Sequence, residues 1–154
     1  MKITEFLHGD AVIGWLSATD KPGIITELCA SLAHRVGGGV TAEKLAEVLL
    51  DRERLSSTGI GDGVAIPHGK LAGLPGLVAA FGVSRAGVDF DAIDGKPTHL
   101  FFALLAPENS AGVHLKALAR ISRLFKNPSF RRAITEAADA QAMFDLITTE
   151  DAKA

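Results

Sequence analysis

The sequence has little of what marks a membrane, secreted or nucleic-acid-binding protein. It holds one cysteine, Cys29, so no internal disulfide can form and no multi-cysteine metal site can be built. No apolar run approaches the ~18 residues that a membrane span needs. The longest runs, such as Leu100–Ala106, are strand-sized. The first ten residues, MKITEFLHGD, lack the apolar centre of a secretory signal, so the chain reads as cytoplasmic. Neither sign of charge dominates: 16 Lys and Arg stand against 18 Asp and Glu, a net charge of −2. No global positive field therefore draws the chain to nucleic acid or to an anionic membrane. Internal repeats and long linkers are absent too. What is present is an ordinary globular composition, 47% hydrophobic and 22% charged over 154 residues. A chain of this size buries roughly 68–70% of its unfolded surface. One domain over 1–154, with a core of roughly 11–147, is the expectation.

Apolar and helical patterns alternate along the chain. Ala11–Leu16 is a short apolar run of strand type. Asp20 offers a cap, Pro22 suits a first helical turn, and Ile24, Ile25, Leu28, Leu32 and Val36 follow at helical spacing up to Gly37-Gly38-Gly39. A second helix starts at Thr41, with Leu45, Val48 and Leu49 on one face, and runs into Asp51–Leu55. Ser56–Gly63 is turn chemistry, and Val64-Ala65-Ile66 is a short strand ended by Pro67. Leu77–Val83 and Thr98–Leu105, nearly all apolar, read as strands buried on both faces, with a bend across Val88–Asp94 between them. From Ser110 the signal is helical, with Val113, Leu118, Ile121, Leu124 and Phe125 as one stripe. Asn127-Pro128 breaks it, and two short helices follow over Phe130–Ala138 and Asp139–Ile147. Helices precede, separate and follow three or four strands, which is an α/β layered domain.

The densest chemistry is Ser57–Lys70, STGIGDGVAIPHGK. It fails the Walker pattern, because Gly63 and Gly69 enclose five residues and Leu71 follows Lys70. It fails the dinucleotide pattern as well, since the glycines at 59, 61 and 63 open no helix. What remains is a glycine turn, a short strand and a histidine set just after Pro67, which fixes its own φ and biases Ile66 toward extended geometry. Gly69 beside it permits close approach. A neutral imidazole on an open strand end is suited to attack a phosphoryl group. The same residue also suits a plain strand-end histidine bonded to a carbonyl.

STGIGDGVAIPHGK resembles the active-site segment of the enzyme IIA domains of the fructose/mannitol type in the phosphotransferase system, above all the nitrogen-regulatory kind. Three further stretches match in order: Leu49–Gly61 (LLDRERLSSTGIG), Phe90–Pro107 (FDAIDGKPTHLFFALLAP) and Gly112–Leu124 (GVHLKALARISRL). The resemblance covers nearly the whole chain, weakening before Ala11 and after Ile147. It implies a single layered α/β domain whose mixed, mostly buried sheet has four to five strands flanked by helices.

The resemblance also implies a site. The family's phosphoryl acceptor, modified on Nε2, falls on His68. A second histidine at the start of a later helix, here His114, flanks the phosphate, and an arginine after the second long helix, here Arg52, completes the set. A phosphorylated imidazole carries roughly two negative charges near neutral pH. The planar guanidinium of Arg52 suits them, and His114 donates a hydrogen bond in either protonation state. Transfer between two histidines needs in-line positioning and charge stabilisation, with no metal and no cofactor. The implied donor is an HPr-type phosphocarrier, with regulatory targets such as sensor kinases or transporters downstream. A sugar-specific IIA passing phosphate to a IIB domain is the competing reading. A IIA-like binding module that never turns over phosphate is a third. A hydrolytic metal enzyme on His68, His99 and His114 lacks any short ligand spacing.

Other readings stay open at these positions. Arg52 lies in the charged run Asp51–Arg54, which suits a solvated helix face, and His114 suits a helix-start polar residue. His99 reads as a satisfied core histidine, His8 and His34 as surface residues, and Ser57, Thr58, Asp91 and Asp94 as loop-shaping groups. From Lys116 to Arg132 there are six basic residues and no acid, with Lys116, Arg120 and Arg123 on one helix face. That stripe is either solvated or a dock for an acidic partner. No aromatic interleaves with it, which disfavours nucleic acid.

Overall fold

Most helices start at a side-chain cap in the computed structural model, which describes residues 1–153. Helix α1 (Lys21–Val36) starts at Asp20, whose carboxylate accepts from the Gly23 N–H at 2.8 Å, and stops at Gly37, where φ is 66°. Helix α2 (Ala42–Leu55) starts at Thr41, whose hydroxyl accepts from the Lys44 N–H. Helices α3 (Ala111–Leu124), α4 (Pro128–Thr135) and α5 (Ala140–Ala152) follow the sheet, α4 capped by Asn127 and α5 by Asp139. Among the described residues no helix is long and apolar enough to cross a membrane.

Among the described residues the sheet has six strands, more than the four to five expected: β1 (Val12–Trp15), β2 (Gly59–Gly61), β3 (Val64–Ala65), β4 (His68–Leu71), β5 (Val78–Val88) and β6 (Thr98–Pro107). They run in the order β1-β5-β6-β3-β2, with β4 also on β6. β1 is parallel to β5, β5 antiparallel to β6, and β3 and β4 parallel to β6, so the sheet is mixed as expected. The additional strands come from the glycine segment. Asp62 and Gly63 both take positive φ, 58° and 77°, and form the two-residue reversal that folds β2 back on β3. β2 has three residues with glycine at each end, so its composition reads as turn. Pro67 interrupts the ladder without ending it. Val64 faces Leu100 and His68 faces Leu104 in one unshifted register, so His68 begins the second half of a line along β6 rather than leaving the sheet. β5 runs past Val83 because the register shifts before Val88, with Gly87 (φ 82°) bonded to the Ser84 hydroxyl.

β5 and β6 are covered on both faces. Phe101 packs on Phe90 with ring centroids 5.2 Å apart, while its neighbour Phe102 points the other way to Phe81 and Phe125. Phe125, at the end of α3, also stacks on Phe81 at 5.8 Å. Each such side chain contributes roughly 1.5–3 kcal/mol through burial, and together they pin the C-terminal end of α3 to the sheet. The buried face of α3 is His114, Ala117, Ile121 and Leu124. Ile121, Leu124 and Phe125 of the expected stripe are buried, but Val113 is 45% exposed and Leu118 only half-buried, and at the start of the helix His114 and Ala117 take the inward places.

Packing extends beyond 11–147. Ile3, Phe6 and Leu7 are buried, and the Ile3 N–H donates to the buried carboxylate of Asp151 at 2.7 Å. Arg120 donates to the same carboxylate at 2.6 Å, so this member of the basic stripe ties α3 to α5 and the N-terminus instead of facing a partner. Arg131 likewise donates to the Phe125 carbonyl.

Candidate functional site

Three elements converge on one open depression, lined by Val48, Asp51, Arg52 and Leu55 of α2, by His68, Gly69 and Lys70 of β4, and by His114 of α3. Each arrives for a local reason. β4 continues the β3 line along β6, which carries His68 opposite Leu104. β6 runs on to Pro107, and the short link to α3 then puts His114 in the first turn of that helix, its N–H bonded to the Ser110 carbonyl at 2.8 Å. Gly69 has no side chain, and Val48 of α2 packs onto β4 at that point.

The half-buried His68 ring is oriented by its own strand. Its Nδ1 lies 2.7 Å from the Ile66 carbonyl oxygen. A carbonyl only accepts, so Nδ1 carries the proton and Nε2 keeps a lone pair. The His114 ring meets the His68 ring edge to face, centroids 5.4 Å apart and planes at 72°. His114 is 7% exposed, and its Nε2 is buried with no hydrogen-bond partner among the described residues. A buried imidazole nitrogen left unpaired beside a second imidazole has room in its hydrogen bonding for a ligand atom.

Burial is the main influence that holds the His68 pKa below the ordinary imidazole value of 6.5, and the Arg52 guanidinium adds to it. The bond to the Ile66 carbonyl and the Glu53 carboxylate act in the opposite direction. Burial also lowers His114, reinforced by His68 and Lys70. Both rings are thus biased toward the neutral form. The arrangement provides a neutral imidazole with an available lone pair, a second imidazole against it, and two cationic side chains on the rim. That set has the chemistry to accept and steady a small dianionic group.

The structure brings Arg52, His68 and His114 to one place. Arg52 lies within the last turn of α2 rather than after the helix, and its Nη1 donates to the Ser56 carbonyl at 2.9 Å. Of the charged run around it, Asp51 and Arg54 are exposed and paired with each other, which is the solvated-face behaviour. Glu53 departs from it, being buried. His99 lies apart from the pair, half-buried, with Nδ1 on the Ser84 carbonyl at 2.9 Å. His8 and His34 are exposed. Ser57 donates to the Phe90 carbonyl and accepts from the Gly59 N–H, Thr58 donates its hydroxyl to Glu53, and Asp94 accepts from the Lys96 and Asp62 N–H groups, all loop-shaping bonds. Asp91 takes a positive φ of 53° in the bend.

Sequence reasoning missed Lys70 and Glu53 as members of this neighbourhood. Lys70 had a signal: on a strand, His68 and the residue two further on share a face. Glu53 had none, since its run reads as solvent-facing.

The family described as phosphoenolpyruvate-dependent sugar phosphotransferase system, EIIA 2, matches residues 5–150. A nitrogen regulatory protein of Bradyrhizobium diazoefficiens is 39% identical over 154 residues, covering 100% of this chain and 99% of the relative. The fructose-specific EIIABC component of Bacillus subtilis is 38% identical over 151 residues, which are 98% of this chain but 24% of that protein. The crystal structure of nitrogen regulatory protein IIA-Ntr from Neisseria meningitidis superposes with a TM-score of 0.88 at 35% identity, covering 95% of this chain and 99% of that one. With mixed α/β architecture and a match over nearly its whole length, the chain belongs to the EIIA type-2 family of phosphoryl carriers in the phosphotransferase system.

Proposed function

We propose that this chain is a cytoplasmic phosphocarrier that takes a phosphoryl group on Nε2 of His68 from an HPr-type carrier, and that its phosphorylation state biases binding to regulatory partner proteins. The observation that carries this reading is the bond from His68 Nδ1 to the Ile66 carbonyl, which leaves Nε2 with its lone pair in the depression shared with Arg52 and His114. In the step, the Nε2 lone pair forms a bond to phosphorus as the bond from phosphorus to the donor's ring nitrogen breaks. The donor nitrogen keeps the electron pair, and His68 Nδ1 keeps its proton. Arg52 neutralises charge on the transferred oxygens, and the unpaired His114 nitrogen gains a partner there. A regulatory role is favoured by the relative of 39% identity that this chain matches from end to end, a nitrogen regulatory protein.

A specific observation favours a second reading, a sugar-specific IIA that hands phosphate to a IIB domain: the 38% identity to part of a fructose-specific EIIABC component. Incubation with enzyme I, an HPr-type carrier and radiolabelled phosphoenolpyruvate tests the shared chemistry. Acid-labile, alkali-stable label on the wild type and none on His68→Ala supports a phosphohistidine carrier. Onward transfer to a IIB domain selects the second reading. No label from either a nitrogen-type or a sugar-type carrier means a binding module.

A further inference from the structure

We infer that Glu53 is a positioning residue for the phosphoryl acceptor, acting on His68 through Thr58 and Ile66. The inference rests on His68 being the acceptor, as proposed above.

Arg52 and Glu53 are successive on the last turn of α2, about 100° apart around the helix. Arg52 lines the depression, whereas Glu53 turns inward and is 7% exposed. A buried carboxylate is costly unless its oxygens are satisfied. Here they are used fully. Both oxygens accept from the Thr58 N–H at 3.2 Å, one accepts from the Thr58 hydroxyl, and the other accepts from Lys21 Nζ at 2.8 Å. Lys21 in turn rests over the Phe90 ring, 4.7 Å from its centroid, so the ion pair joins the start of α1 to the end of α2.

The links continue to the acceptor. The Thr58 carbonyl accepts from the Ile66 N–H at 3.0 Å, and the Ile66 carbonyl accepts from His68 Nδ1 at 2.7 Å. One relay therefore runs from Glu53 through Thr58 and Ile66 to the imidazole, across the hairpin formed by β2 and β3. A staple that only closed a helix would end in the core. This one ends on the nitrogen opposite the proposed point of attack. The Glu53 carboxylate also favours the protonated form of His68, against the influence of Arg52. Loss of its charge frees the hairpin to drift, and a displacement of about 1 Å at an acceptor can cost on the order of a hundredfold in rate.

Glu53→Gln keeps the shape and removes the charge. Single-turnover transfer from an HPr-type carrier is expected to show a maximal rate reduced by about tenfold or more with carrier affinity unchanged. In parallel, a ¹⁵N-resolved titration of His68, which needs no phosphoryl donor, is expected to show a lower pKa and a smaller Nδ1–H population than the wild type. Thr58→Ala removes the hydroxyl bond to Glu53 but keeps the Lys21–Glu53 pair and its charge, and is expected to slow transfer and lower the Nδ1–H population in the same direction with the His68 pKa little changed, which covers the case in which Glu53→Gln does not fold. Wild-type transfer rates, or an unchanged His68 titration and tautomer in the folded variant, overturn the inference. Absence of label on the wild type instead overturns the proposed function, and the titration still decides the role of Glu53.

Discussion

Val48 of α2 sits directly over Gly69 of β4: a Cβ placed on Gly69 would lie 2.9 Å from Val48 Cγ1. Non-bonded carbons do not approach so closely, so glycine after His68 is what lets α2 pack where it does. Gly69→Ala is expected to destabilise the fold by about 1–3 kcal/mol through overpacking and to slow phosphoryl acceptance by displacing α2, which carries Arg52. Val48→Ala in the same chain should restore most of both losses. Denaturant unfolding and transfer assays on the two single variants and the double variant measure this, and absence of rescue would show that the contact is not the cause.

His114 presents a buried nitrogen with no partner among the described residues, so its removal deletes an unsatisfied group as well as packing. His114→Ala is expected to change stability by no more than about 1 kcal/mol while slowing onward transfer on the order of a hundredfold. Equal transfer rates in wild type and variant would remove this residue from the chemistry.

The lowered pKa of both histidines has a defined consequence for stability. Each folded-state value lies below 6.5, so in the window beneath 6.5 the unfolded chain binds more protons than the native one. Their contribution is complete above 6.5 and is lost as the pH falls through the folded values. Urea midpoints are therefore expected to drop between about pH 7.5 and about pH 5.5, with a shallower drop in His68→Gln and His114→Gln. NMR titrations placing either ring at or above 6.5 would contradict the site's electrostatics.

Asp151 is 3% exposed and binds the Ile3 N–H and the Arg120 side chain. Asp151→Ala leaves the Ile3 N–H and Arg120 Nε without their acceptor, the guanidinium keeping only its bond to the residue 151 carbonyl, and is expected to cost about 3 kcal/mol, with the N-terminal segment losing hydrogen-exchange protection first. Substitution of the exposed Lys126 in the same basic stretch is expected to fall within about 0.5 kcal/mol of wild type.

Burial alone pushes the Cys29 thiol up to about 12. The native chain is therefore expected to resist a thiol-reactive disulfide reagent near neutral pH and to react once unfolded, so the reaction rate reports opening of the α1 face. Fast reaction with the native chain would mean that α1 separates readily from the sheet.

Much of the frame was legible because local chemistry decides it. Asp20, Thr41 and Asp139 cap helices by bonding N–H groups three residues on, a relation within reach of the sequence itself. The hairpin was less legible, since Gly59–Gly61 gains its strand character from a partner across the Asp62-Gly63 reversal and from nothing in its composition. Periodicity placed Val113 inward on α3, but the sheet beneath takes His114 there, a choice made by tertiary packing. At the site, His68 stood out by its proline and glycine neighbours, whereas Arg52 and His114 came from family resemblance. Glu53 was hidden because a carboxylate in a charged run looks solvated until Thr58 and Lys21 are folded against it.

The arrangement of strand lengths also bears on how copies of this chain behave when crowded. The two long strands, β5 with 11 residues and β6 with 10, lie inside the sheet, and the borders are β1 and β4 with four residues each and β2 with three. A neighbouring molecule thus meets only brief rows of open backbone donors and acceptors, one of them curling away through a left-handed turn. The segments richest in fibril-forming character, such as Leu100–Ala106, become templates only after the sheet itself has come apart.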